Sequence, residues 1–186
     1  MKKLLFCVII VAVTSCNLQE TNKMDIRLSA RTPETVKIYF EKTNRPDIKA
    51  VLPQKAQTVE EALEDYRKTL LPGANSYGRT ITADGAYIGD IWCFCIDLNN
   101  DPNAMLSFCI FDEAYRSQGI ATKAVSAFLK EIQAKYHFTT VGAFAFSDNL
   151  PSIKVLEKNG FSAVEEFTED GRASKYFQYT YSLELK

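Results

Sequence analysis

The sequence predicts one α/β (α+β) domain, built on a mixed, largely antiparallel central sheet of about six to seven strands flanked by about four helices. First, the apolar run 105–111 is short enough for a buried strand and leads directly into a helix-period pattern. Second, Asp84-Gly85 between alternating runs is a strong tight-turn signal. Third, the strand 139–146 follows that helix, which implies a parallel neighbour through a right-handed crossover. A length of 186 residues suits a single domain with a substantial core.

The first part of the chain predicts a short strand over 25–30 and two helices. Thr32-Pro33-Glu34 supplies an N-cap, a first-turn proline and an acid in order, so a helix is predicted to residue 43. Residues 44–56 contain two prolines and little periodicity and are predicted to form a loop. Residues 58–61 form a capping-box pattern for a helix that ends at Pro72-Gly73. The inward side chains predicted for the two helices are Val36, Tyr39 and Phe40, then Ala62, Tyr66 and Leu70.

Three strands follow, over 77–83, 86–98 and 104–111. The middle strand is largely apolar on both faces, which places it inside the sheet. One face is predicted to carry Ile88, Asp90, Trp92, Phe94 and Ile96, and the other Ile91, Cys93 and Cys95. The cysteines 93, 95 and 109 match no zinc or redox spacing and are predicted to be reduced core residues.

The stretch 116–122 joins the third of these strands to the central helix. A helix start leaves backbone N–H groups unpaired and carries about half a positive charge, so it suits an anion. Gly119 permits close approach of the backbone to a ligand, and Arg116 adds a cationic donor at the rim. A single glycine without a following Gly-Lys-Ser/Thr excludes a Walker loop and a dinucleotide fingerprint; on spacing alone, Gly119 is equally a turn residue. The predicted buried face of the helix is Ile120, Ala124, Val125, Phe128, Leu129 and Ile132.

After the strand 139–146, a short helix is predicted over 149–159. Asp148 or Asn149 is its N-cap, Pro151 lies in its first turn and Gly160 follows its end. Segments 161–167 and 174–183 are predicted to close the fold as a hairpin.

Residues 116–121 (Arg-Ser-Gln-Gly-Ile-Ala) resemble the Arg/Gln-x-x-Gly-x-Gly/Ala pyrophosphate loop of the GNAT superfamily of N-acetyltransferases. Residues 149–152 (Asn-Leu-Pro-Ser) and 156–161 (Leu-Glu-Lys-Asn-Gly-Phe) are similar to the branch typified by RimJ and RimL, which acetylate N-terminal amines of ribosomal proteins. The resemblance implies a GNAT domain over 24–186 that uses acetyl-CoA as cosubstrate and no metal. It implies acetyl transfer, by direct attack, to a primary amine of a protein N-terminus, polyamine, aminosugar or antibiotic.

The resemblance also implies roles for individual residues. Two strands, 106–111 and 139–146, would splay apart and admit the pantetheine arm, and a main-chain N–H of the first would polarise the thioester carbonyl. Leu156 occupies the position of the tyrosine acid of many members and cannot donate a proton, so Ser152 is the expected donor. Asn149 is expected to bind the pantetheine or thioester region, although both residues also suit a helix cap. The expected cofactor-binding residues are Cys109, Ile110, Phe111, Arg116, Ser117, Gln118, Gly119, Ile120, Ala121, Thr122, Asn149 and Ser152.

No general base stands out. Glu113, Asp90, Asp97 and Tyr176 are candidates if they line the cleft, but each is more simply interpreted as a surface group, and a water relay is equally open. His137, the only histidine, lies at a predicted helix end and is interpreted as structural.

Residues 1–23 have the layout of a secretory signal, and residues 13–16 (Val-Thr-Ser-Cys) resemble a lipobox that would lipidate Cys16. An enzyme that uses acetyl-CoA needs the cytosol, and Met24 directly precedes the first predicted strand. A start assigned upstream of the true one, and a cytoplasmic protein, are therefore expected; a lipid-anchored protein is the alternative, and membrane association is expected only in that case.

The net charge of −1 argues against a dedicated nucleic-acid binder. The expected partner is a small-molecule or peptide amine acceptor, and a homodimer is left open. Two rival functions remain: a non-catalytic acyl-CoA-binding GNAT module, and an exported lipoprotein with a repurposed GNAT-like fold.

Overall fold

A computed structural model of the protein describes residues 24–52, 55–169 and 171–182. The hypotheses about the leader 1–23 and Cys16 lie outside the described residues.

The core of the domain is one seven-stranded sheet with the strand order β1-β2-β3-β4-β5-β7-β6. Neighbouring strands are antiparallel except for β4 and β5, which are parallel. The predicted mixed, largely antiparallel α/β class is therefore confirmed. The strands are β1 (Ile26–Ala30), β2 (Ser76–Ala83), β3 (Ala86–Asp97), β4 (Asn103–Ile110), β5 (Thr140–Phe146), β6 (Ser162–Glu169) and β7 (Arg172–Thr180).

Five helices and one 3-10 turn, Glu113–Tyr115, surround the sheet within the described part of the chain. The helices are α1 (Pro33–Thr43), α2 (Pro46–Lys49), α3 (Val59–Thr69), α4 (Ile120–Tyr136) and α5 (Leu150–Lys158). The buried residues of α4 are the six that its periodicity predicted. Together with Leu156 of α5, they pack on Ile91, Val141 and Phe177 of the sheet in one hydrophobic core.

Helix α1 packs on the opposite face of the sheet. The ring of Tyr39 packs edge-on against Trp92 and Phe111, with 5.9 Å and 6.2 Å between the ring centroids. Two threonines cap the start of the helix reciprocally, because Thr32 and Thr35 each accept a hydrogen bond from the other's backbone N–H.

Three sequence predictions are wrong, those about the stretch 44–56, Leu70 and Cys95. The stretch 44–56 is not entirely loop, because Pro46 starts the one-turn helix α2 and Ile48 is buried; four residues are too few to show a periodicity. Leu70 does not pack inward: it follows the last residue of α3 and is 64% exposed. Cys95 is exposed rather than in the core, since it has a φ of 52° within a register irregularity between β3 and β4.

The predicted faces of β3 also fail at Ile88 and at Ile96, which packs against the core of Ile91 and lies within the irregularity between Phe94 and Asp97. The register shifts where Ile81 pairs with Gly89 and Thr82 pairs with Tyr87, so Ile88 is an extra residue in the strand. Ile88 consequently joins the core of Ile91 instead of sharing a face with Asp90. The close approach at this bulge requires a glycine, because a Cβ on Gly89 would lie 2.2 Å from the Cys109 carbonyl oxygen.

Candidate active site

A gap opens in the middle of the sheet between β4 and β5. The two strands pair only at Asn103–Thr140, Ala104–Val141 and Met105–Gly142, although they continue to Ile110 and Phe146. Beyond the last pair, their facing backbone edges are not bonded to each other. The structure therefore has the splayed strands that the family resemblance implied.

One backbone amide of the segment 109–111 is directed into this gap. The Phe111 N–H donates to the Ile88 carbonyl at 2.9 Å and so points toward β3. Successive residues of a strand direct their N–H groups to opposite sides, so the Ile110 N–H points into the gap. Burial raises the pKa of the Cys109 thiol to about 12, which keeps this side chain a neutral thiol.

The loop that follows β4 is exposed and lies at the start of α4. Gly119 is the N-cap with a φ of 74°, and Ser117 also has a positive φ, of 60°. No side chain of the described residues caps this helix start. The first amides of α4, at 120–122, therefore have no intrahelical acceptor and are available to an anion. The Gln118 side chain donates to the Ala114 carbonyl and holds the loop in this shape.

Arg116 turns back onto the end of β4 instead of extending freely from the rim. Its guanidinium donates to the carbonyls of Phe111 at 3.0 Å and Ile110 at 3.3 Å, and it lies 3.4 Å from Asp47 of α2. A hydrogen bond from Arg45 lowers the pKa of Asp47, and Arg116 contributes in the same direction. Arg116 thus links α2 to the loop in this structure, and its contact with a phosphate stays a prediction.

The motif at 149–152 lies at the same edge of the sheet as the loop 116–122. The carboxyl ends of the parallel strands β4 and β5 meet there, and α5 begins four residues after β5 ends. Asn149 is the N-cap of α5, since its Oδ1 accepts a hydrogen bond from the Ser152 N–H at 3.3 Å. The interpretation of Asn149 as a helix cap is confirmed. Within the described residues, the Asn149 amide nitrogen and the Ser152 hydroxyl donate no hydrogen bond. Leu156 is 1% exposed in the core.

Among the base candidates, Asp90 is not the surface charge that the sequence suggested. It is 1% exposed, it accepts a hydrogen bond from Arg31 Nε at 2.7 Å, and it accepts another from the Tyr87 hydroxyl. Burial raises the pKa of Asp90, while Arg31 and Tyr87 oppose that shift. These partners make Asp90 a structural group that ties β3 to the chain ahead of α1.

The remaining candidates lie in different surroundings. Asp97 and Glu113 are exposed, as expected for surface charges, and Glu113 lies 3.7 Å from Arg116. Tyr176 is half-buried beside the closed end of the gap. His137 is the left-handed C-cap of α4, which agrees with its structural interpretation.

Other parts of the described chain offer no competing centre. Within residues 24–52, 55–169 and 171–182, no three His, Cys, Asp or Glu side chains cluster closely enough to hold a metal ion. None of the helices described is both long and apolar enough to cross a bilayer. A cavity of about 430 Å³ lies between β1 and α4, and one of about 610 Å³ lies between α4, α5 and the end of β7. Neither cavity is lined by a predicted catalytic or cofactor-binding residue.

The fold and this gap define a class of protein, the N-acetyltransferases with a splayed parallel strand pair. Comparison with known families agrees: the family described as "Acetyltransferase (GNAT) domain" matches residues 25–162. The chain belongs to this family, and as an enzyme it is an acyltransferase. No curated protein matches the chain.

Several solved acetyltransferases share the fold. Spermidine N-acetyltransferase from Vibrio cholerae, in complex with CoA and spermine, has a TM-score of 0.75 at 13% identity, covering 83% of this chain and 95% of its own. RimL, a ribosomal L7/L12 alpha-N-protein acetyltransferase in complex with coenzyme A, has a TM-score of 0.72 at 16% identity, covering 83% of this chain and 93% of its own. Aminoglycoside acetyltransferase AAC(6')-Ib in complex with coenzyme A has a TM-score of 0.70 at 19% identity, covering 84% of this chain and 95% of its own. At these identities the likeness is one of fold.

Proposed function

We propose that the protein is an acetyl-CoA-dependent N-acetyltransferase that acetylates a primary amine. The observation that carries the proposal is the gap between β4 and β5, which leads from the Met105–Gly142 pair to the exposed start of α4. An extended pantetheine arm fits between two unpaired strand edges, because each edge offers backbone donors and acceptors. The amides at 118–122 suit the pyrophosphate at the outer end.

The residues of this chain would divide the chemistry between the two sides of the gap. Acetyl-CoA supplies the thioester carbon that the amine attacks, and the N–H of Ile110 is directed to where a carbonyl oxygen can accept from it. Asn149 offers an amide N–H to the arm, and Ser152 offers a hydroxyl proton for the departing sulfur. A hydroxyl is a weak acid, so the contribution of Ser152 should be modest.

Similar proteins support an amine acceptor without identifying it. The solved relatives named above are acetyltransferases for an aminoglycoside, a polyamine and a protein N-terminus. Membership of the RimJ/RimL-like branch rests on the motif at 149–152 and 156–161 and stays part of this proposal.

The experiment is thermal unfolding of the full chain and of a chain that starts at Met24, each with and without acetyl-CoA. At about 100 times its dissociation constant the ligand should add about 2.7 kcal/mol to the folded state, which raises Tm by about 5–11 °C. CoA release with a panel of primary amines then measures turnover. Stabilisation without turnover of any amine would favour the non-catalytic acyl-CoA-binding module instead, and no stabilisation would refute the proposal.

We also propose a cytoplasmic location, because acetyl-CoA is made in the cytosol. Mass spectrometry of the native N-terminus tests it. A chain that begins at Met24 or Asp25 supports the proposal, whereas a lipidated Cys16 would establish the exported lipoprotein.

A further inference from the structure

Three aromatic side chains form an exposed surface on the sheet face opposite α4. The centroid of the Phe144 ring lies 5.2 Å from that of the Tyr176 ring and 5.5 Å from that of the Phe167 ring. Phe144 is 60% exposed. Ala143 and Phe177, their sequence neighbours, are buried in the core on the α4 side, so Phe144 and Tyr176 face away from it. We call Phe144, Phe167 and Tyr176 the aromatic platform.

The inner end of the platform lies at the closed end of the gap. A methyl group built on Gly142 would lie 2.6 Å from the Tyr176 hydroxyl oxygen and 2.7 Å from the Met105 sulfur. Met105 and Gly142 form the last pair before β4 and β5 separate. Within the described residues the Tyr176 hydroxyl has no hydrogen-bond partner. A polar group is thus available where the gap meets the platform.

The charges around the platform suit a ligand with one positive charge. Glu165 is the cross-strand partner of Tyr176, so the two side chains are neighbours on one face. Glu165 forms no ion pair with another described residue. Nearby carboxylates are already engaged, since Glu166 lies 2.6 Å from Lys175 and Asp148 lies 3.0 Å from Arg172. One unpaired carboxylate complements a single ammonium group better than a polycation.

We infer that the aromatic platform is the acceptor subsite and that the acceptor is a primary amine joined to an aromatic ring through a short alkyl chain. The inference rests on the proposed function. The ring of the acceptor packs on Phe144 and Phe167 in the offset or edge geometries that aromatic groups prefer. The amine, which arrives as an ammonium ion attracted by the ring faces and Glu165, lies beside the Tyr176 hydroxyl.

The reaction at this position is balanced without a further reactant. The ammonium loses a proton to water, and its nitrogen forms a bond to the thioester carbon. The carbon–sulfur bond then breaks, the amine gives up its second proton, and the CoA thiolate takes a proton.

The test measures kcat and KM of the full chain at saturating acetyl-CoA for three amines. 2-Phenylethylamine has the ring and one charge, hexylamine has one charge without a ring, and spermidine has several charges. We expect kcat/KM for 2-phenylethylamine to exceed both others by about tenfold, which corresponds to about 1.4 kcal/mol. Phe144→Ala should raise KM for 2-phenylethylamine about tenfold and change KM for hexylamine less than about twofold.

Two further variants distinguish an effect of the aromatic platform from the effect of changing any exposed side chain nearby. Val164→Ala is the matched control, because Val164 is also 60% exposed and lies on the same edge hairpin. It should leave both KM values unchanged. Tyr176→Phe keeps the ring and removes the hydroxyl, so it should lower kcat for 2-phenylethylamine more than it raises KM. Thermal unfolding of each variant establishes that it is folded.

Equal kcat/KM for the three amines, a preference for hexylamine or spermidine, or equal effects of Phe144→Ala and Val164→Ala would overturn the inference. Stabilisation by acetyl-CoA without turnover of any of the three amines would overturn it as well. Absence of that stabilisation is a different result, since it refutes the proposed function itself.

Discussion

Substitution of Gly119 tests the placement of the phosphate loop, and the structure supplies a matched control. Gly119 and Gly73 both have a φ of 74°, and a Cβ at either position would meet no atom within 4 Å. A side chain in this left-handed conformation costs about 1–2 kcal/mol at each site. For a domain of this size, 1 kcal/mol lowers Tm by about 2–4 °C. Gly119→Val and Gly73→Val should therefore lose similar stability without ligand.

Only the Gly119 variant should lose the response to acetyl-CoA. A branched side chain at Gly119 projects into the open space at the start of α4, where the pyrophosphate must approach the backbone. Gly73 lies between α3 and β2, and the start of β2 pairs through Phe94 with Met105 near the start of β4, whereas the loop follows the end of β4. Differential scanning fluorimetry over a range of acetyl-CoA concentrations measures both effects. If Gly119→Val retained the same ligand-dependent rise in Tm as Gly73→Val, the reasoning about the loop would be refuted.

Substitutions at three other positions and one chemical modification have defined outcomes. Asp90→Ala should lower the free energy of denaturant unfolding by about 3 kcal/mol, because it removes the buried partner of Arg31, whose side chain is only 19% exposed, and Asp90→Asn should cost less. Ser152→Ala should keep the acetyl-CoA shift in Tm and lower kcat by no more than about tenfold; complete loss of turnover would contradict a modest role. Gly142→Ala should reduce stability by about 1–3 kcal/mol in thermal unfolding, since its methyl group overlaps two side chains. Iodoacetamide at pH 8 should label exposed Cys95 before Cys109, whose thiol has a pKa raised to about 12 by burial, and peptide mass mapping would show the order.

Local patterns predicted most of the secondary structure. The six buried residues of α4 followed from their three- and four-residue spacing, because a helix on a sheet buries one continuous stripe. The caps at Thr32, Thr58 and Asn149 were visible for a similar reason, since each bonds to an amide only three residues away. The glycine at position 119 was recognisable within the six-residue motif 116–121.

The same reasoning failed wherever a distant partner sets the geometry. An alternating pattern assigned Ile88 to the wrong face, because the bulge that shifts it depends on the register of β3 against β2. Asp90 resembled a surface acid until Arg31, 59 residues earlier in the chain, was found at its side. The contact of Arg116 with Asp47 was equally invisible, since 69 residues separate them.

The sequence by itself determined the succession of strands along the chain, every helix except α2, the glycine loop and the family, because these depend on residues close together in the chain. Only the tertiary structure decided that β4 and β5 separate after Met105 and Gly142, and that Tyr176 lies at this point. It also brought Phe144, Phe167 and Tyr176 together from three strands. The physical reason is that a gap and the surface beside it are properties of strand register, which joins segments that no local pattern connects.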